Sequence, residues 1–188
     1  MTVHGTSSLA GTYDAWCIDT DRTLGSGGTY TADVVYSLED LTGLVEYPEN
    51  FVYVNWVINQ DWVGQTSAGG YGTYTYGDVQ KAIWTLIEDN PNSGGLGSWS
   101  QSRVNEILDD AYAWGGDFEP GCMDRVAVLL VPVDGSGNIN RQIIIGQVTF
   151  IDIDLECDYT VVGEETAWAA GDLAFKQSWA SYWSCDQH

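Results

Sequence analysis

Two aliphatic, β-branched runs, Arg125 to Val133 and Arg141 to Asp154, are separated by Asp134-Gly135-Ser136-Gly137-Asn138. That arrangement narrows the choice of folds more than any other part of the chain. The Asp, Gly, Ser and Asn residues between the runs are turn chemistry, so the natural reading is an antiparallel hairpin. A lone hairpin is marginal in water and needs further strands or helices on its apolar face. Upstream residues supply both. Strands are expected through Tyr13, Ala15 and Cys17 and from Tyr30 to Tyr36, with a turn at Gly25-Ser26-Gly27-Gly28 between them.

Three helices are expected next. Pro48-Glu49-Asn50 opens the first, whose Phe51, Val54, Val57 and Ile58 recur at helical spacing. Thr75, with Asp78 three residues on, marks the second start and puts Gln80 in the first turn, in line with Ile83, Trp84 and Ile87. Asn90 to Gly95 is a breaker. The third helix begins near Ser100, carries Val104, Ile107, Leu108, Ala111 and Tyr112 as its stripe, and ends at Gly115-Gly116. Strands flanking a cluster of helices make an α+β fold in a single domain over residues 1–188.

Charge removes several classes of function. With 27 acidic and 6 basic residues the net charge is −21. Nucleic-acid recognition begins with a basic patch, and an anionic membrane surface repels such a chain. No apolar run approaches the roughly 18 residues of a membrane span, so no membrane insertion is expected. Met1 to Gly11 has neither the basic start nor the apolar run of a signal peptide, as a mature chain also would not. Abundant Gly, Ser, Thr, Trp and Tyr, with Lys81 and Lys176 as the two lysines, lean to a secreted or cell-surface location.

Chemistry concentrates in two segments, Ala15-Trp16-Cys17-Ile18-Asp19 and Val79-Gln80-Lys81-Ala82-Ile83-Trp84. A sulfur held against a glutamine carboxamide can expel ammonia and leave an acyl-sulfur bond. That bond is a stored electrophile for amines. Trp16 and Trp84 would keep water from it, and Asp19 could orient the site or carry a proton, although a carboxylate capping a turn is the commoner role there.

These segments, with Asn55-Trp56-Val57-Ile58-Asn59-Gln60 between them, resemble the thioester (TQXA) domains of Gram-positive surface adhesins and pili. The resemblance covers Tyr13 to Asp89 well and extends in outline to Ile153. It implies a β-sandwich or barrel with a small cluster of helices inserted between strands. It also implies a Cys17–Gln80 thioester that bonds covalently to amines on a surface protein or small molecule. Such a bond is used once, so the chain is not expected to be an enzyme. Val79 stands where the family has Thr or Ser.

Three further cysteines give Cys17 a rival fate. Cys122 and Cys157 flank the hairpin region and are the preferred disulfide in an oxidising compartment. If all four cysteines pair, with Cys185 included, there are about three connectivities and no thioester. Asp152 and Asp154, with Glu156 and Asp158, alternate along one strand face and are the candidate calcium ligands, a solvated face being the commoner reading. No other cofactor is expected. The aromatic tail over residues 154–188 is read as further strands or as a surface for self-association. Two alternatives stand beside adhesion: a filament or surface-layer subunit without a reactive bond, and a calcium-dependent carbohydrate-binding module.

Overall fold

The computed structural model describes residues 2–4, 11–23, 28–88, 94–121 and 123–149. Cys122, Asp152, Asp154, Cys157, Cys185 and the aromatic tail lie outside the described residues.

Built outward from the hairpin, the described residues form a four-stranded antiparallel sheet carrying three helices. The strands among the described residues are β1 (Thr2–Val3), β2 (Gly11–Thr12), β3 (Trp16–Cys17), β4 (Ala32–Tyr36), β5 (Arg125–Pro132) and β6 (Ile144–Thr149). β5 and β6 pair from Arg125↔Thr149 to Leu130↔Ile144, as the two β-branched runs predict. Their connection is held by the Asp134 carboxylate, which accepts the N–H groups of Ser136 and Asn138, and by Gly137 at φ +82°. β4 adds to the outside of β5 and β3 to the outside of β6, giving the order β3-β6-β5-β4. β1 and β2 form a separate small ribbon.

Alternation divides the sheet into two faces. Ala127, Leu129, Val131 and Ile145 belong to the main core, whereas Val126, Val128 and Val148 pack with Val3 and Tyr36 as a separate apolar cluster. The expected strand through Tyr13, Ala15 and Cys17 is much shorter than anticipated. Trp16 and Cys17 find a partner in β6, and the residues before them do not extend that pairing.

The helices are α1 (Phe51–Ile58), α2 (Tyr76–Ile87) and α3 (Gln101–Trp114). Each begins where its sequence signals place it. A short 3-10 turn over Pro48–Asn50 leads into α1, which buries Phe51, Val54, Val57 and Ile58. α3 runs from its cap Ser100 to Gly115 and buries Val104, Ile107, Leu108 and Ala111; Tyr112 is exposed and meets Tyr53 edge-on. α2 starts on a capping box: Thr75 and Asp78 exchange hydrogen bonds, satisfying N–H groups that the helix cannot. Its Ile83, Leu86 and Ile87 are fully buried, each burial contributing about 1.5–3 kcal/mol.

Two side-chain amides tie α1 to the sheet. Asn55 accepts from the Ala127 N–H at 2.9 Å and the Ser37 hydroxyl at 3.0 Å. Asn59 takes the N–H of Arg125 on its Oδ1 at 2.7 Å and donates to the Arg125 carbonyl at 2.8 Å, clasping both backbone groups of one residue.

Gly77, the second residue of α2, lies beneath the segment that precedes α3. A Cβ there would come within 2.5 Å of the Leu96 and Ser98 carbonyl oxygens. Gly77→Ala is therefore expected to lower stability by about 1–3 kcal/mol, read as a drop in Tm, because backbone must move to accommodate one methyl. Among the described residues no helix is long and apolar enough to cross a membrane.

Candidate functional site at Cys17 and Gln80

Strand geometry decides what faces the outer edge of β3. Trp16 pairs with Ile145, and the Ile18 N–H reaches the Ile143 carbonyl at 3.0 Å, so these residues turn their backbone groups toward β6. Cys17, between them, turns its N–H and C=O the other way. α2 occupies that side, and the Gln80 carboxamide fills the edge. The Cys17 N–H donates to Gln80 Oε1 at 2.8 Å, and Gln80 Nε2 donates to the Cys17 carbonyl at 2.6 Å, across 63 positions of sequence.

An amide that bridges both backbone groups of one residue has its carbon opposite that residue's Cα. Here that Cα carries the thiol arm. The structure thus brings together the two residues singled out from the sequence, and it orients the carboxamide as well as placing it. The N–H on Oε1 is a donor aimed at the oxygen where negative charge would collect during attack on the carbonyl.

The sequence places Gln80 in the first turn of its helix, and the structure sets it slightly deeper. With Thr75 as cap and Tyr76 as first helical residue, Gln80 is fifth in α2, beyond the turn whose N–H groups are free. The oxygen is polarised by Cys17 itself, because the capping box fixes the helix start one turn ahead of the glutamine.

The pair lies in an open cleft of about 430 Å³, whose lining includes Trp16, Thr20, Tyr76 and Trp84. Trp16 and Trp84 are both buried, and among the described residues their indole N–H groups find no hydrogen-bond partner. The Trp16 ring meets that of Tyr76 at 5.2 Å. The aromatic rings form one part of the lining, and Thr20, Thr23, Arg22 and Gln142 form a polar part. Cys17 is half-buried, and among the described residues its thiol is free. Burial pushes its thiol above the ordinary value, which disfavours the thiolate. Attack on Gln80 therefore depends on the held geometry and on a group that takes the proton.

Asp19, the acid closest to Cys17 in sequence, is engaged by its own turn. Its carboxylate accepts the N–H of Asp21 at 2.9 Å, the N–H of Arg22 at 3.1 Å and the Arg22 guanidinium at 2.6 Å. It shapes the turn after β3, and Gln142 supports the same turn through the Asp19 carbonyl. Lys81, the amine nearest Gln80 in sequence, is buried, with its Nζ 5.8 Å from the centre of the Trp99 ring.

Sequence reasoning missed Glu88. This residue caps the C-terminus of α2, is 5% exposed, and accepts from the Thr20 hydroxyl at 2.8 Å and the Thr20 N–H at 3.3 Å. Burial first, and then Glu46 and Asp19 nearby, raise its carboxyl to about 7, against the lowering effect of the Thr20 bonds. The signal that could have found it is an acid directly after the buried Ile87, at the helix end where the dipole disfavours negative charge.

Among the described residues there is no cluster of three or more His, Cys, Asp or Glu side chains able to hold a metal ion. Comparison of the chain with protein-family models, with curated proteins and with solved structures finds no match.

Proposed function

We propose that this chain is a secreted or cell-surface adhesion domain that stores a Cys17–Gln80 thioester and uses it once, to bond covalently to an amine on a target protein or small molecule. In forming the bond, Sγ joins the Gln80 carboxamide carbon, the C–N bond to Nε2 breaks, and ammonia leaves with the thiol proton. In using it, an amine nitrogen joins the same carbon, the acyl-sulfur bond breaks, and a proton passes from the amine to sulfur. The observation that carries the reading is the Gln80 amide clasped to both backbone groups of a cysteine in a cleft whose lining includes Trp16, Tyr76 and Trp84. The sandwich that the resemblance implies draws support from the apolar cluster on the outer sheet face, where Val126, Val128 and Val148 offer a seat for a second layer.

A structural reading competes, and one observation favours it. Asn59 clasps Arg125, whose guanidinium is no nucleophile, with the same pair of hydrogen bonds. Such a clasp is thus a device for satisfying backbone groups in its own right. At Cys17 it would close the strand edge and nothing more, as suits a filament or surface-layer subunit.

Incubation of the folded chain with methylamine separates the two readings. The thioester predicts methylamide at Gln80 on peptide mapping and a Cys17 thiol that becomes alkylatable only after the amine is added. Absence of incorporation, with Cys17 alkylatable from the outset, supports the structural clasp instead.

A further inference from the structure

Glu88 is placed where stability alone gives no reason for a carboxylate. It is 5% exposed, it stands at the negative end of the α2 dipole, and the acids around it are Asp19 and Glu46. Among the described residues no lysine or arginine forms an ion pair with it; the nearby Arg22 guanidinium is committed to Asp19. A buried acid without a cation is costly when ionised, and glutamine would fill the space and keep the hydrogen-bonding capacity. Among the described residues its side-chain hydrogen bonds run to Thr20, whose hydroxyl points its proton at Glu88 and which lines the cleft together with Cys17 and Gln80.

We propose that Glu88, acting through the Thr20 hydroxyl, holds the proton in transit at the Cys17–Gln80 cleft. This rests on the thioester reading and supplies what that reading lacks, since burial disfavours the Cys17 thiolate and three donors of its own turn engage the Asp19 carboxylate. During bond formation Thr20 accepts the thiol proton while passing its own to Glu88. The reverse transfer delivers a proton to the departing Nε2, so ammonia leaves and Glu88 ends as it began. During amine capture the same route takes a proton from the attacking nitrogen and returns it to the Cys17 sulfur. A carboxyl that titrates near 7 is matched to both directions at neutral pH. Glu88 is thus a positioning and proton-holding residue, joined to the cleft through the Thr20 hydroxyl.

The sign of its effect on stability is opposite to that on rate. A carboxyl raised in the folded state adds stability below its ordinary pKa of 4.5 and loses that contribution as pH rises through about 7. Glu88→Gln should therefore hold its Tm better than the parent chain as pH rises across this window, yet react more slowly. The decisive experiment follows methylamine incorporation into the folded chain by mass against pH, for the parent, Glu88→Gln and Thr20→Val. The ratio of parent to Glu88→Gln rates should reach about 10²-fold, as for other acid–base groups, with an inflection near 7 that Thr20→Val also loses. A Glu88→Gln chain that folds but never expels ammonia is the extreme form of the same result. Equal rates with an unchanged inflection in either variant overturn the proposal while leaving the thioester standing. A parent chain that takes up no amine overturns both.

Discussion

Cys17→Ala is expected to abolish covalent amine capture completely while leaving the fold nearly untouched. The Gln80 clasp engages the backbone N–H and C=O of residue 17, and alanine presents the same two groups. A half-buried sulfur is lost, and little else. Gln80→Ala should abolish capture as well but also leave both edge groups of β3 without their partner, at a cost of about 1–3 kcal/mol. Gln80→Glu retains an acceptor for the Cys17 N–H but offers sulfur no amide to displace. The contrast between the first two variants is informative. If Cys17→Ala destabilises the chain as much as Gln80→Ala does, the thiol has a packing role that the clasp geometry does not account for. Any amine found on Gln80 in Cys17→Ala would contradict a thioester route.

The largest effect on stability is expected at Asp78. It is fully buried, and its two oxygens accept the Thr75 N–H, the Thr75 hydroxyl, the Ser100 N–H and the Arg103 guanidinium, each between 2.7 and 2.8 Å. One carboxylate thus caps α2, fixes the entry to α3 and neutralises a guanidinium that is itself largely buried. Asp78→Ala removes all four and leaves Arg103 uncompensated, so a loss of about 3–5 kcal/mol is expected in urea unfolding. A loss below about 1 kcal/mol would mean that water replaces these bonds. Burial alone would raise the Asp78 carboxyl, but Arg103 and the N–H donors outweigh it and hold it below the ordinary carboxylate range. Its stabilisation is therefore present above the ordinary value and lost as pH falls through the lowered one, which makes Asp78 a contributor to acid unfolding.

Legibility followed locality. The hairpin was readable because β-branched runs and an Asp-Gly-Ser-Gly-Asn turn are local signals, and β5 and β6 pair as those signals require. Helix starts were readable for the same reason, from Thr75 with Asp78 and from Ser100. What periodicity could not reveal was the meeting of Gln80 with Cys17. That depends on which way a two-residue edge strand turns its backbone, and a single-residue slip in the β3–β6 register would turn the Cys17 groups inward. The resemblance brought the two residues together, and the strand register explains how they meet.

Other features stayed hidden because they are properties of assembled surroundings. Asn59 reads as a helix-end polar residue, yet its amide clasps a strand 66 positions away. Glu88 reads as an ordinary charged helix end, and becomes unusual only when Thr20, Asp19 and Glu46 close around it. Asp19 shows the converse. Its closeness to Cys17 in sequence suggests chemistry, but three donors from its own turn engage the carboxylate. Adjacency along the chain was a poor guide to this site, and the orientation of backbone donors was a good one.

The central claim concerns one covalent bond, and the mass of the intact, unreduced chain reports on it directly. After allowance for disulfides, the thioester predicts a value about 17 mass units below that calculated from the sequence, the weight of the expelled ammonia, and no such deficit in Cys17→Ala. A parent chain at its full calculated mass would contradict the account and leave Gln80 as a clasp for the edge of β3.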